Sequence, residues 1–289
     1  MLSFASLLFG VSAVTSPQQV ALAVCVGLIG GVSSGLCGVS PGGALVVLSA
    51  GLLGAEQHVA QGISLMAQIP PTGLSGIKRY REEGRVAPPR WVLWLTSGFL
   101  LGGVAGATLA GRVSTTVLQW SYVGYLVALD ALLLVRISRT QLSAATDNRP
   151  EDANPTEDAC RTDVVGWLPL LVVGLLGGLS SGYLGIGGGL AIVAGLTGGL
   201  KVPQHQAQMV SLVLSIIPTT IPAAYVYWRA GQTPAWPILV AVIVGLYCGT
   251  DLGARAANRM KSITLRRVLV IMVTAMAAYM AWRAFATVW

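Results

Sequence analysis

Residues 27–43 read GLIGGVSSGLCGVSPGG, and residues 174–190 read GLLGGLSSGYLGIGGGL. The same apolar, glycine-rich segment is written twice, at an offset of 147 residues. Held without a gap, that offset carries Gln57-His58 onto Gln204-His205, Ala60-Gln61 onto Ala207-Gln208, Ser64-Leu65 onto Ser211-Leu212 and Pro71-Thr72 onto Pro218-Thr219. Further on it carries Gly84, Gly98, Gly102, Gly106, Arg112 and Arg136 onto Gly231, Gly245, Gly249, Gly253, Arg259 and Arg283. Chance does not align so many glycines and prolines. Repeats of about 20–50 residues build solenoids, whereas a duplication this long in an apolar chain is the pattern of secondary transporters.

Composition places the chain in a bilayer. Of its 289 residues 54% are hydrophobic and 10% charged, and the mean hydropathy is +0.71. Several uncharged windows reach the roughly 20 residues that cross about 30 Å of hydrocarbon. The net charge of +7 comes from short Lys and Arg clusters at the edges of these windows. That is where the positive-inside rule puts them, so the charge reads as topology and not as nucleic-acid binding. Cys25, Cys37, Cys160 and Cys248 form no CxxC pair, and neither a disulfide framework nor a zinc site is indicated. The tip, residues 1–19, is apolar but has no Lys or Arg before its apolar run, unlike a cleaved signal peptide. It reads as an interfacial helix or an extension of the first span.

The first repeat, residues 20–136, opens with an apolar stretch, Val20 to Leu53, interrupted by Gly35, Gly38, Pro41, Gly42 and Gly43. Glycine and proline weaken helices, and backbone freed inside a membrane needs protein or a water-filled cavity to satisfy it. Two short helices meeting at a polar break are therefore predicted. A helix from about Val59 to Ile77, with Pro70-Pro71 inside it, comes next, then spans over Trp91–Ala110 and Val117–Val135. Residues 137–165, rich in Asp, Glu, Asn and Pro, read as a solvated linker. The second repeat, 166–289, has a broken stretch from Gly166 to Leu200 and spans near Gln206–Trp228, Pro237–Ala257 and Val268–Phe285. Pro218 and Pro222 interrupt the first of those spans.

Charge sets orientation. In the first half the basic loop is Lys78 to Arg90 and the next loop has only Arg112; in the second half the counterpart has only Arg229 and the next is basic. The halves should lie oppositely in the membrane, each with an odd number of crossings. The expected fold is an all-α polytopic membrane protein of two inverted-topology repeats with broken or re-entrant helices. Its linker faces the cytoplasm at the inner (plasma) membrane.

The glycine-serine-glycine stretch, the Ala60 to Ser64-Leu65 segment with prolines behind it, and the turn Arg81-Glu82-Glu83-Gly84-Arg85-Val86 together resemble the TauE/SafE sulfite exporter family of membrane permeases. The resemblance covers nearly the whole chain apart from the tip and the linker. It implies secondary transport, often export, of small sulfur-containing anions such as sulfite or organosulfonates. The copies depart from one another at Ser40-Pro41, which the second replaces with Gly187-Gly188. A channel-like anion uniporter and a carrier of another small organic anion stay open as alternatives. A membrane enzyme would need His, Cys, Asp or Glu at ligand or triad spacing, and no such cluster is written.

Candidate binding residues follow from the breaks. Helix N-termini just after Gly42 and Gly189 would turn free N–H groups and a positive dipole end toward an anion, with Gly35, Gly43, Gly182 and Gly188 letting it approach the backbone. Ser33, Ser34, Ser180 and Ser181 could add hydroxyls, beside Cys37 and Tyr183; close helix packing explains the same residues equally. Ser64, Gln68 and Thr72 share one helix face, and Ser211, Ser215 and Thr219 repeat the stripe, with Gln57, Gln61, Gln204 and Gln208 on the same helices. His58, His205 and the intramembrane Asp130 are candidates for proton coupling; Asp251 and Arg255 are spaced for an ion pair. No cofactor or metal is expected. The expected partners are the anion, the lipid bilayer and a second copy of the chain, and not nucleic acid.

Overall fold

A computed structural model describes residues 16–37, 40–70, 88–146, 165–200, 202, 204–257 and 262–286. Every element among them is helical. In chain order these are α1 (Pro17–Cys37), α2 (Gly42–Leu52), α3 (Gln57–Ala67), α4 (Pro89–Ala110), α5 (Thr115–Thr146), α6 (Trp167–Leu184), α7 (Gly189–Ala194) with a π-helical turn (Gly195–Gly199), α8 (Gln204–Ile216), α9 (Ile221–Arg229), α10 (Trp236–Ala257) and α11 (Ser262–Ala286). The starts of α2, α3, α4 and α5 recur in α7, α8, α10 and α11 at the offset of 147 found in the sequence.

Local sequence accounts for most boundaries. Pro88 and Pro89 open α4, with a proline at the first helical position where its missing N–H is harmless. Gly185, at φ 72°, closes α6 in the left-handed conformation. Two boundaries differ from expectation. The helix predicted to run to Ile77 stops at Ala67, because Pro70 disfavours helical backbone at Ile69. Residues 137–146, predicted to open the linker, are helical, since α5 runs to Thr146. The tip, residues 71–87 and residues 147–164 lie outside the described residues.

Four described helices are long and apolar enough to cross a membrane: α1, α4, α6 and α10. They are also the helices that pack most closely, α1 on α10 and α4 on α6. A methyl group added at Gly27, Gly31 or Gly35 would overlap the carbonyl oxygens of Val242, Leu246 and Thr250. One added at Gly174, Gly178 or Gly182 would overlap those of Leu95, Phe99 and Gly103. The second set is the first displaced by 147 residues with the repeats exchanged. Gly98, Gly102 and Gly106 on α4 and Gly245, Gly249 and Gly253 on α10 complete the two seams from the other side. Residue numbers ascend together across each seam, so the paired helices run parallel. Lipid supplies no hydrophobic drive between helices, and association rests on contacts that only glycine at these points allows.

Each repeat thus lends its first long helix to the other. Between the two seams sit the short helices. Leu45, Ile63 and Leu246 fill one side, and Phe99, Ile192 and Leu196 the other. The α5–α11 pair closes over Val46, Tyr122 and Met280.

Candidate functional site

The two breaks in the long helices meet each other. The Ser40 hydroxyl, between α1 and α2, donates to Gln68 Oε1 at 2.6 Å, with the carbonyl of Ile186, between α6 and α7, at 3.1 Å. A side chain at Gly187 would collide with that same hydroxyl and with Gln68. Ser40 and Gly187 are counterparts in the two copies, so the contact between them falls where the halves are related to each other.

Around this point the first half supplies the polar side chains. The Ser64 hydroxyl, fully buried on α3, donates to the Gly185 carbonyl at 2.6 Å and has the Gly42 carbonyl at 3.2 Å. Gln68 Nε2, just past the end of α3, donates to the Ser64 carbonyl at 2.9 Å and to its hydroxyl at 3.0 Å. Tyr122 on α5, fully buried, donates to the Gly43 carbonyl at 2.8 Å. The first intrahelical bond of α2 runs from Leu45 N–H to the Pro41 carbonyl at 3.0 Å. By helix geometry the N–H groups of Gly42, Gly43 and Ala44 precede it and have no acceptor within the helix. These donors and the dipole end of an eleven-residue helix converge on the contact of the two breaks. Such an arrangement favours negative charge.

The second half answers with backbone. Gly185 and Gly187 hold φ of 72° and 74°, and Gly188 holds φ 18°. A methyl at Gly188 would fall on the Phe99 ring. Ser211 repeats the Ser64 bond more weakly, donating to the Gly189 carbonyl at 3.3 Å, and Ser215 donates to the Ser211 carbonyl at 3.0 Å. The stripe therefore recurs on α8, with both Ser211 and Ser215 inside the helix.

The remaining predicted residues separate into groups. Ser33 and Ser180 turn their hydroxyls onto their own helices, to the Ile29 carbonyl at 2.7 Å and the Leu176 carbonyl at 2.8 Å. Ser34 is half-buried on α1. Ser181 is buried, its hydroxyl without a partner. Gly35 and Gly182 belong to the seams, Gly42 makes the closest approach to the Ile186 carbonyl, and Gly189 faces Ser211. Thr219 is buried in the turn between α8 and α9; Thr72 lies outside the described residues.

His58 Nε2 lies 3.1 Å from the Ala110 carbonyl at the C-terminal end of α4. His205 occupies the first turn of α8. Asp130 accepts a hydrogen bond from the Thr274 hydroxyl at 2.7 Å across the α5–α11 seam, while its other oxygen is buried without a partner. It stands two turns beyond Tyr122 on α5, away from the breaks. Asp251 and Arg255 form the expected ion pair at 2.6 Å on the exposed face of α10. Tyr122 and Tyr227 escaped sequence reasoning. Their signal was a phenol inside an apolar helix, which when buried must find a hydrogen-bond partner.

Spanning-length apolar helices, glycine-backed seams and irregular backbone kept inside the bundle define a multi-pass membrane protein whose breaks suit transport. The model of the sulfite exporter TauE/SafE family matches residues 23–280, and the chain belongs to that family of membrane transporters. It is 26% identical over 248 residues to the probable membrane transporter protein YdhB of Bacillus subtilis (strain 168), covering 83% of this chain and 91% of that one. It is 27% identical over 237 residues to a probable membrane transporter protein of Xylella fastidiosa (strain Temecula1), covering 80% of this chain and 82% of that one. No solved structure matches it.

Proposed function

We propose that this chain is a secondary transporter that exports small sulfur-containing anions, sulfite or organosulfonates, across the cell inner membrane by alternating access. One observation carries the reading: the two helix breaks meet at Ser40 and Ile186, with the first turn of α2 and the Ser40, Ser64 and Gln68 side chains gathered there. An anion entering this point would exchange water for backbone N–H groups of the first turn of α2, held in place by the hydrogen-bonded Ser40, Ser64 and Gln68 side chains. The two halves lie oppositely in the bilayer, as the basic loops require, with the linker on the cytoplasmic side. Rocking of one half against the other would then expose the anion to each side in turn. Expelling an anion from a negative interior is electrically downhill, so proton coupling is an added feature, acting through His58, His205 or Asp130 if present.

The test is counterflow of radiolabelled sulfite in proteoliposomes containing the full chain, with methanesulfonate, sulfate, acetate and chloride as competitors. A carrier gives a transient overshoot when the vesicles are preloaded with unlabelled sulfite; a channel gives none. Overshoot driven by acetate but not by sulfite or methanesulfonate would replace the substrate and leave the mechanism. Absence of overshoot with any of these anions would defeat the carrier.

A further inference from the structure

Beside the second break lie two buried donors that the protein itself leaves unused. Gln61, on α3 one turn before Ser64, is fully buried, and its Nε2 has no hydrogen-bond partner. Ser181, one turn before Gly185 on α6, is 1% exposed, and its hydroxyl likewise has none. Both residues neighbour Gly185. Its N–H donates to the Ser181 carbonyl at 2.7 Å, the bond that closes α6. A methyl at Gly185 would lie 2.9 Å from Gln61 Cα and Cβ.

Gln61 does not hang free. The Tyr227 hydroxyl, from α9, donates to Gln61 Oε1 at 2.8 Å and has the Gly182 carbonyl at 3.0 Å. Tyr227 is itself 1% exposed. With Oε1 occupied, both N–H bonds of the amide are directed away from the tyrosine and unused. Leaving a fully buried amide unpaired costs stability, and replacing it with an apolar group of the same shape removes that cost. Polar groups retained at such a cost inside a membrane bundle are the mark of a functional position.

We infer that Gln61 and Ser181 are donors to the oxygens of the transported oxyanion, and that Tyr227 is a positioning residue that aims the Gln61 amide. This rests on the transport reading above and adds the specificity-determining contacts. The site offers N–H and O–H groups and so takes a ligand that presents several acceptor oxygens, such as sulfite or a sulfonate. The neighbouring Ser64, whose proton is committed to Gly185, then holds the backbone of the site and not the ligand.

Gln61→Met, Ser181→Ala and Tyr227→Phe, each in the full chain, test the inference by two readouts, thermal stability in detergent with and without sulfite and sulfite counterflow. Gln61→Met is expected to melt at or above the wild-type temperature without anion, since an unpaired amide has been removed. Its half-saturating sulfite concentration is expected to rise roughly tenfold, the effect of losing one hydrogen bond to a charged ligand. Ser181→Ala shifts the half-saturating concentration in the same direction. Tyr227→Phe raises it while the maximal rate is retained. Wild-type sulfite affinity in both Gln61→Met and Ser181→Ala overturns the inference, as does a lower melting temperature of Gln61→Met without anion, which would mark the amide as structural. In either case wild-type counterflow stands and only the assignment of these residues falls. A wild-type protein that responds to none of sulfite, methanesulfonate or sulfate removes the transport reading and this inference together.

Discussion

The break after α1 and the break after α6 occupy corresponding places in the two copies, and the chain has built them from different chemistry. The first turns on Ser40-Pro41 and leads into a regular eleven-residue helix. The second turns on Gly187-Gly188 and leads into six α-helical residues followed by a π-helical turn. From the first half, the Ser64 hydroxyl donates to the Gly185 carbonyl of the second break, and the Ser40 oxygen stands 3.1 Å from the Ile186 carbonyl. On the second copy, the Ser211 hydroxyl bonds within its own half, to the Gly189 carbonyl. One repeat is the clamp and the other the clamped backbone. At the contact of the two breaks the side-chain hydroxyls come from the first half and the carbonyls they face from the second.

That contrast is broken most severely at Gly187. Gly187→Ala would place a methyl against Ser40 and Gln68 at a φ that side chains rarely adopt. Strain of about 1–3 kcal/mol from the backbone adds to overpacking of about 1–3 kcal/mol, and a large fall in melting temperature is expected. Ser40→Gly, which makes the first break resemble the second, should cost only about 0.5–1.5 kcal/mol for its hydrogen bond. Equal losses would mean that the breaks are interchangeable.

The seams supply the symmetric control. Gly31→Ala and Gly178→Ala set a methyl on the Leu246 and Phe99 carbonyls, which are counterparts in the two copies. Both variants should lose about 1–3 kcal/mol, with similar melting curves. A large difference would show that the seams have diverged as the breaks have.

Ser64→Ala should weaken folding by about 1–3 kcal/mol because the buried Gly185 carbonyl loses its donor. Ser211→Ala, with a bond of 3.3 Å and a half-buried position, should cost less than about 1 kcal/mol. Chemical denaturation of the two variants compares them, and a reversed order would undo the distinction between clamp and clamped. Asp251→Asn gives the smallest effect. Its pair with Arg255 is more than half exposed on both sides, and a loss below about 1 kcal/mol, shrinking with salt, is expected.

The sequence alone determined the repeat. Glycines at 98, 102 and 106 and at 245, 249 and 253 announced close helix packing, because glycine spaced by four lines one helix face. The breaks were equally legible, since glycine and proline clustered inside an apolar run cannot continue a straight helix. Even Ser64 and Gln68 were visible as a stripe at helical spacing. What the sequence left undecided was partnership. Nothing in the chain says that Gly27 faces Val242 across the repeats, or that Ser40 bonds to Gln68 and not to a neighbour in sequence. Ser33 and Ser181 look alike as letters, yet one hydroxyl turns to the Ile29 carbonyl of its own helix and the other is left unpaired in the core. Periodicity fixes which face a residue occupies because it is a property of one helix. Which group meets that face depends on the packing of helices far apart in the chain, and that is decided only in the tertiary structure.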